Sequence, residues 1–182
     1  MNKYLFALAF FLGALGIVWM GVGFIDSSLL ALSMTIIIAA VYVFGAFELR
    51  QFRQATSTLT DALAAIPDNL TELGDWLVKV HASLQNPVRL RIEGERLGLP
   101  GPALTPYLVG LLVMLGMLGT FLGMVVTLNG AVFALEKTTD LQAIRSALAV
   151  PVKGLGLAFG TSVAGVAASA MLGLMSAFSR RE

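Results

Sequence analysis

The sequence of 182 residues contains no cysteine and one histidine, His81. The absence of cysteine excludes disulfide bonds, thiolate metal ligands and thiol catalysis, and a single histidine is too few for a histidine-based metal cluster within one chain. Charge is also scarce, because charged residues make up only 13% of the chain and the formal net charge is +1. We therefore expect no metal, no other cofactor and no nucleic-acid partner.

Apolar residues are abundant, at 57% of the chain, and the mean hydropathy is +0.85. These values lie outside the range of soluble domains and predict an all-α integral membrane protein. Four uncharged apolar stretches are each long enough to cross about 30 Å of hydrocarbon at about 1.5 Å per residue. They cover residues 4–25, 29–47, 104–131 and 154–178. We predict four transmembrane helices.

The chain turns polar between the second and third apolar stretches, and its apolar residues there recur at heptad spacing. Two such series lie on either side of Pro67. The series before Pro67 comprises Leu49, Phe52, Leu59, Leu63 and Ile66. The series after it comprises Leu70, Leu73, Leu77, Val80 and Leu84. The second membrane helix is predicted to continue into this segment and to fold back at Pro67 as a cytoplasmic helical hairpin. The predicted units are a transmembrane hairpin (1–47), this helical segment (48–103), a helix pair (104–178) and the start of a cytoplasmic tail (179–182).

Basic residues are unequally divided between the two sides of the predicted bundle. Three lie on one side: Lys137, Arg145 and Lys153. Nine lie on the other: Lys3, Arg50, Arg53, Lys79, Arg89, Arg91, Arg96, Arg180 and Arg181. Since cytoplasmic segments carry the excess of Lys and Arg, we expect a multi-pass protein of a bacterial inner membrane with both termini in the cytoplasm.

The third and fourth spans differ from plain lipid-facing helices because small and hydroxyl residues interrupt them. Residues of this kind allow close helix contact, which we assign to Gly116, Gly119, Gly123, Gly165, Ser169 and Gly173. Thr120 and Thr127 share one helix face, and antiparallel packing brings Thr161 to a depth similar to that of Thr120. With Ser162, these hydroxyls form a candidate ion path. The spans contain no Asp or Glu, so a titrating acid would have to come from another polypeptide.

Two simpler interpretations stand beside this one. Thr and Ser in membrane helices often donate to the carbonyl one turn earlier and have no further role. Lys153 can be an interfacial lysine whose side chain reaches the headgroups, or it can pair with a partner's acid at the outer mouth.

Two segments resemble the pore-lining helices of the MotA/TolQ/ExbB proton-channel family. They are GMLGTFLG (residues 116–123) and AFGTSVAG (residues 158–165), and the intervening IRSAL, Pro151 and Gly154-Leu155 fit the stretch before that family's last helix. The resemblance covers residues 104–178. Within the family, the chain looks most similar to the A subunit of Zorya-type anti-phage systems and to related proteins with a long cytoplasmic tail, whose start corresponds to residues 179–182.

The resemblance implies a pentamer of this chain around a dimer of a single-span partner, whose membrane aspartate carries the proton. It assigns the two pore threonines to Thr120 and Thr161, whereas Thr127 and Ser162 rest on helix-face geometry. The leading expectation is therefore a proton channel subunit of an inner-membrane motor or energiser complex. The alternative is a non-conducting oligomeric scaffold in the lipid bilayer that recruits a cytoplasmic protein. No nucleophile and base, metal cluster or phosphate loop is evident in the sequence, so we do not expect an enzyme.

Overall fold

The computed structural model describes residues 2–25, 28–65, 73–94, 101–136 and 141–180. Every regular element in these ranges is an α-helix. The helices are α1 (Asn2–Phe24), α2 (Leu29–Ala64), α3 (Leu73–Leu77), α4 (Ala82–Ile92), α5 (Thr105–Glu136) and α6 (Leu141–Ser179).

Four of these helices are long and apolar enough to cross a membrane. The candidate spans are Tyr4–Phe24, Leu29–Ala64, Thr105–Val132 and Gly154–Ser179. The first, third and fourth agree with predicted stretches to within one residue at each end, and the second contains the predicted stretch 29–47, which supports a multi-pass all-α membrane protein. The helix that contains the second stretch runs on for more than four turns beyond Phe47, as its heptad pattern predicts.

Contacts between the helices define two ends of the bundle. At one end, the Glu48 carboxylate of α2 accepts hydrogen bonds from the Leu104 amide (2.9 Å) and the Thr105 hydroxyl (2.8 Å) at the start of α5. At the other end, the Ser28 side chain caps α2 by accepting from the Ala31 amide. We call these the Glu48 end and the Ser28 end. The four long helices are arranged so that α1 and α5 run opposite to α2 and α6.

Helix α6 contacts the three other long helices and is the most buried of the four. Around its last turns lies an apolar core. Its fully buried large side chains are Ile38, Tyr42, Leu49, Leu112, Leu172 and Met175. The Tyr42 hydroxyl donates to the carbonyl of Phe10 at 3.1 Å, which ties α2 to α1 inside the bundle. Its ring also stacks on Phe10, with centroids 5.7 Å apart.

The polar segment packs against the extension of α2 through a second, smaller cluster. The Trp76 indole N–H donates to the Ala62 carbonyl at 2.8 Å, and the Thr58 hydroxyl accepts from the amide of His81 at 3.0 Å. Val80, Leu84 and Val88 complete the apolar contact. The second heptad series is not one helix, because a turn separates α3 from α4 and the His81 side chain caps α4. The predicted turn at Pro67 lies outside the described residues. The segment LGLPGP (97–102), whose glycines and prolines predict the turn before the third span, is described only from Gly101 on.

Candidate functional site

Helices α5 and α6 meet along a line of small residues that we call the α5–α6 seam. It comprises Gly116, Gly119, Gly123 and Thr127 on α5 and Gly154, Ala158, Thr161 and Gly165 on α6. The closest approach joins Gly116 and Gly165. A Cβ added to Gly165 would lie 2.6 Å from the carbonyl oxygen of Leu112 and 2.7 Å from the Cα of Gly116. Because both neighbours are backbone atoms, only glycine permits this helix separation.

Further along the seam, each missing Cβ leaves space that the facing helix fills. A Cβ on Gly119 would lie 2.7 Å from the Thr161 hydroxyl, and one on Gly123 would lie 2.6 Å from the Cβ of Ala158. Near the Ser28 end the roles are reversed, because Gly154 of α6 leaves room for the Thr127 side chain. The absence of side chains at these glycines therefore determines where the threonine side chains lie along the seam.

The hydroxyls of Thr120 and Thr161 converge on one acceptor, the carbonyl oxygen of Ala158. Thr161 donates to it at 2.8 Å within α6, and Thr120 reaches it from α5 at 3.2 Å. The Thr120 hydroxyl also lies 3.1 Å from the carbonyl of Gly116, so its single proton has two acceptors. The structure thus brings the two predicted pore threonines together at a shared backbone carbonyl, which sequence reasoning did not identify because a carbonyl has no side-chain signal.

The two threonines differ in exposure. Thr161 is 0% exposed between α5 and α6, whereas Thr120 is half-buried at the edge of the seam. At about 1.5 Å per residue, Thr120 lies about 22 Å from Thr105 and about 18 Å from Val132, near mid-span. With its proton donated to a carbonyl, the Thr120 oxygen retains lone pairs that can accept a hydrogen bond from a protonated acid.

A cleft of about 230 Å³ runs beside the seam from the Ser28 end. Its lining includes Ser28, Gly130, Thr127 and Gly119, and it reaches Ala158, the acceptor of both threonine hydroxyls. The Thr127 hydroxyl donates to the Gly123 carbonyl one turn earlier at 2.5 Å. Ser162 is half-buried on α6, with its carbonyl oxygen close to Gly116.

Two of the residues assigned to helix packing lie off the seam. A Cβ added to Gly173 would meet no atom within 4 Å, so this glycine allows no close contact within the chain. Steps of four residues rotate a helix face by about 40° each, which places Gly173 about 120° from Thr161. Ser169 is buried and donates to the Val166 carbonyl at 3.0 Å in its own helix. Lys153 lies on α6, and its side chain is outside the described part of the chain.

Glu48 is a residue whose role the sequence analysis missed. It is the only acid at the end of an apolar stretch that the structure shows in contact with another membrane helix, within the described ranges. Its carboxylate satisfies a backbone N–H at the start of α5 and compensates the partial positive charge there. The contact fixes α5 to α2 at the Glu48 end. A sequence signal existed, because an acid directly follows the apolar run.

Four antiparallel helices that are long and apolar enough to cross a membrane indicate a multi-pass membrane protein. Comparison with protein-family models, with curated proteins and with solved structures finds no significant match.

Proposed function

We propose that this chain is a proton channel subunit of an inner-membrane motor or energiser complex similar to the MotA/TolQ/ExbB family. One observation carries the proposal. Two threonine hydroxyls from two membrane helices meet at the Ala158 carbonyl near mid-span, inside the two motifs that resemble the family's pore-lining helices. Both termini then lie in the cytoplasm, and the Glu48 end is the cytoplasmic end.

In this proposal the proton is carried by a carboxylate of a single-span partner, because the sequences of α5 and α6 offer no acid between residues 104 and 135 or between 154 and 178. The protonated acid donates to Thr120, whose own proton stays bonded to the carbonyl of Ala158 or Gly116. Thr161 holds the Ala158 carbonyl in place and does not contact the ion. The threonines are never ionised; they exchange hydrogen bonds while the partner's carboxyl gains and loses the proton.

Water access in this proposal follows the cleft from the Ser28 end. The cleft lies on the α2 side of the seam, passes Thr127 and reaches Gly119 and Ala158, so water entering from that side reaches the level of Thr120, which is not itself among the lining residues. Four helices are too few to surround a partner, which requires several copies in a closed ring. A pentamer around a partner dimer is the arrangement that the resemblance implies.

The test is proton flux in cells that express a cytoplasmic pH reporter, this chain and a partner. We expect the adjacent reading frame to encode that partner as a short protein with one apolar span and an aspartate. Thr120→Val should lower the proton leak at least tenfold, and Thr120→Ser should retain it. Thr35→Val is the matched control, because Thr35 is a buried membrane threonine that donates only to its own helix, to the Ala31 carbonyl at 2.8 Å. An unchanged leak in Thr120→Val contradicts the proposal.

A second candidate function is a non-conducting scaffold. It is favoured by the complete burial of Thr161 and by exposed apolar side chains on the polar segment, among them Leu63, Val78 and Ile92. Under this alternative the seam only assembles helices, and the polar segment recruits a soluble protein. A purified chain that forms a stable ring and conducts with no candidate partner would favour the scaffold.

A further inference from the structure

The outward-facing side of the α1–α2 pair contains an open apolar groove of about 440 Å³. Its walls include Phe6, Phe10 and Phe11 of α1 with Val43 and Phe47 of α2. Phe11 and Phe47 are exposed, and no helix among the described residues covers them. The groove is lined almost entirely by apolar side chains along its length, and it ends at Arg50.

Beyond Arg50 the groove continues into a second cavity of about 590 Å³. The two cavities share Phe6 and Arg50, and the second is lined by polar side chains that include Arg53, Gln54 and Ser57. The Arg53 guanidinium lies over the ring of Phe6, 4.7 Å from its centroid. An apolar groove and a basic cavity thus lie next to each other, with Phe6 and Arg50 in the lining of both.

The change from apolar to basic occurs where the uncharged stretch of α2 ends. The uncharged stretch of α2, residues 29–47, spans about 28 Å, close to the thickness of a bilayer core. Arg50 and Arg53 follow within two turns, at the level of lipid headgroups. Asp61 also lines the second cavity, but it lies about 12 Å beyond Arg53 along the helix, on the far side from the membrane.

Arg50, Arg53 and Gln54 line the basic cavity and carry N–H donors, and the Arg53 guanidinium already contacts the Phe6 ring. The neighbouring hydroxyls of Thr56, Ser57 and Thr60 donate their protons to carbonyls of their own helix. A guanidinium binds a phosphate through two parallel hydrogen bonds, and stacking on an aromatic ring restricts its orientation. The cavity is therefore suited to an anionic phosphate group.

We propose that this composite site binds an anionic phospholipid of the leaflet at the Glu48 end. One acyl chain occupies the groove between α1 and α2, and the headgroup phosphate contacts Arg50 and Arg53. The occupant is a lipid because the phosphate site opens directly into an apolar channel at membrane depth. This proposal is independent of ion conduction.

The test is native mass spectrometry of the purified protein in detergent after addition of phosphatidylglycerol, phosphatidylcholine or inorganic phosphate. We expect phosphatidylglycerol to be retained at least tenfold more than phosphatidylcholine, and inorganic phosphate not to displace it. Equal retention of the two lipids overturns the proposal. Displacement of the lipid by millimolar phosphate also overturns the proposal, because the site would then recognise a phosphate group without an acyl chain.

Variants separate the two parts of the site. Each of Arg50→Gln and Arg53→Gln should lower the preference for phosphatidylglycerol about fivefold, since a basic residue near the surface contributes about 1 kcal/mol. Arg180→Gln is the control, because Arg180 is exposed and directly follows α6 at the Glu48 end. Ala7→Trp should fill the groove and lower retention of both lipids, whereas Ala40→Trp, at an exposed position outside the groove, should not. Equal effects of Ala7→Trp and Ala40→Trp contradict the assigned acyl-chain position.

Discussion

The two halves of α6 are packed in different ways. Towards the Ser28 end, residues 154–165 meet α5 through glycines, and the nearest neighbours of an added Cβ in the seam are backbone atoms or the small side chains of Thr127, Ala158 and Thr161. Towards the Glu48 end, residues 168–175 lie in a core of large side chains such as Tyr42, Leu49 and Leu172. One helix thus has a tight seam with polar groups and a conventional apolar core a few turns apart.

This difference separates two roles of packing in a membrane. Because lipid chains are as apolar as leucine, burying a large side chain inside the bundle gives little hydrophobic stabilisation. Such side chains stabilise the bundle through van der Waals packing. Close backbone contact through glycine additionally brings hydroxyls and a carbonyl within hydrogen-bonding distance across two helices. The core holds the helices together, and the seam positions the groups to which we assign the ion path.

The largest expected effect comes from adding a methyl group at a glycine of the α5–α6 seam. Gly165→Ala places a Cβ against the Leu112 carbonyl and the Gly116 Cα, which are backbone atoms that cannot rotate away, so the helices must separate. We expect a loss of about 3 kcal/mol in the free energy of unfolding, measured by denaturation in detergent. Gly173→Ala is the control and should be neutral, because its Cβ meets no atom within 4 Å. Equal stability of the two variants would show that the seam is not tightly packed.

The core should respond to a deletion. Leu172→Ala empties a fully buried position next to Gly45, and we expect a loss of about 2–3 kcal/mol in unfolding free energy. Leu174→Ala, whose side chain is 45% exposed on the same helix, should cost less than about 0.5 kcal/mol. The distinction between the core and the seam is contradicted if Leu172→Ala abolishes ion flux while the unfolding free energy is unchanged, since the core would then have a role in the ion path.

At the Glu48 end, Glu48→Gln should weaken the link between α2 and α5. The amide keeps one acceptor but loses the charge that stabilises the helix start, which contributes about 1 kcal/mol. Hydrogen exchange at the Leu104 amide should become faster by about fivefold. Glu93→Gln breaks an exposed ion pair with Arg89 and should leave that rate unchanged. An unaltered Leu104 rate in Glu48→Gln contradicts the assigned cap.

The smallest effect concerns the shared acceptor in the seam. Thr120→Val and Thr161→Val should each cost about 0.6 kcal/mol, a typical contribution of a hydrogen bond in a membrane. Because both hydroxyls approach the Ala158 carbonyl, the cost of the double variant should differ from the sum of the single costs. The measurement is a double-mutant cycle on unfolding free energy. Strict additivity would indicate that the two hydroxyls act independently.

Much of the fold follows from the sequence because its signals are local. The four spans are uncharged runs, and the extension of α2 follows from apolar spacing past Phe47. The start of α5 at Thr105 is predicted by the preceding Pro100-Gly101-Pro102. Periodicity also places Gly116, Gly119, Gly123 and Gly165 on the faces where α5 and α6 meet.

The remaining features depend on long-range contacts that no local pattern encodes. The acceptor at Ala158 is a backbone carbonyl, and its use depends on the relative positions of α5 and α6. The Glu48 contact joins residues more than fifty positions apart. Gly173 continues the spacing of Thr161, Gly165 and Ser169, but steps of four residues drift around a helix and place it away from the face that meets α5. Between α3 and α4, the His81 amide donates to the Thr58 hydroxyl of α2, a contact between residues 23 positions apart.

The most direct test of the ion path is the water accessibility of Thr120. Since the chain contains no cysteine, single cysteines can be introduced without removing any. Thr120→Cys and its neighbour Phe121→Cys, whose native side chain is 57% exposed on the single chain, should be compared in native membranes with a water-soluble, membrane-impermeant thiol reagent applied from the Ser28 end. The account predicts that Thr120→Cys is labelled and Phe121→Cys is not. Labelling of Thr120→Cys no faster than that of Phe121→Cys would contradict a hydrated path along the seam.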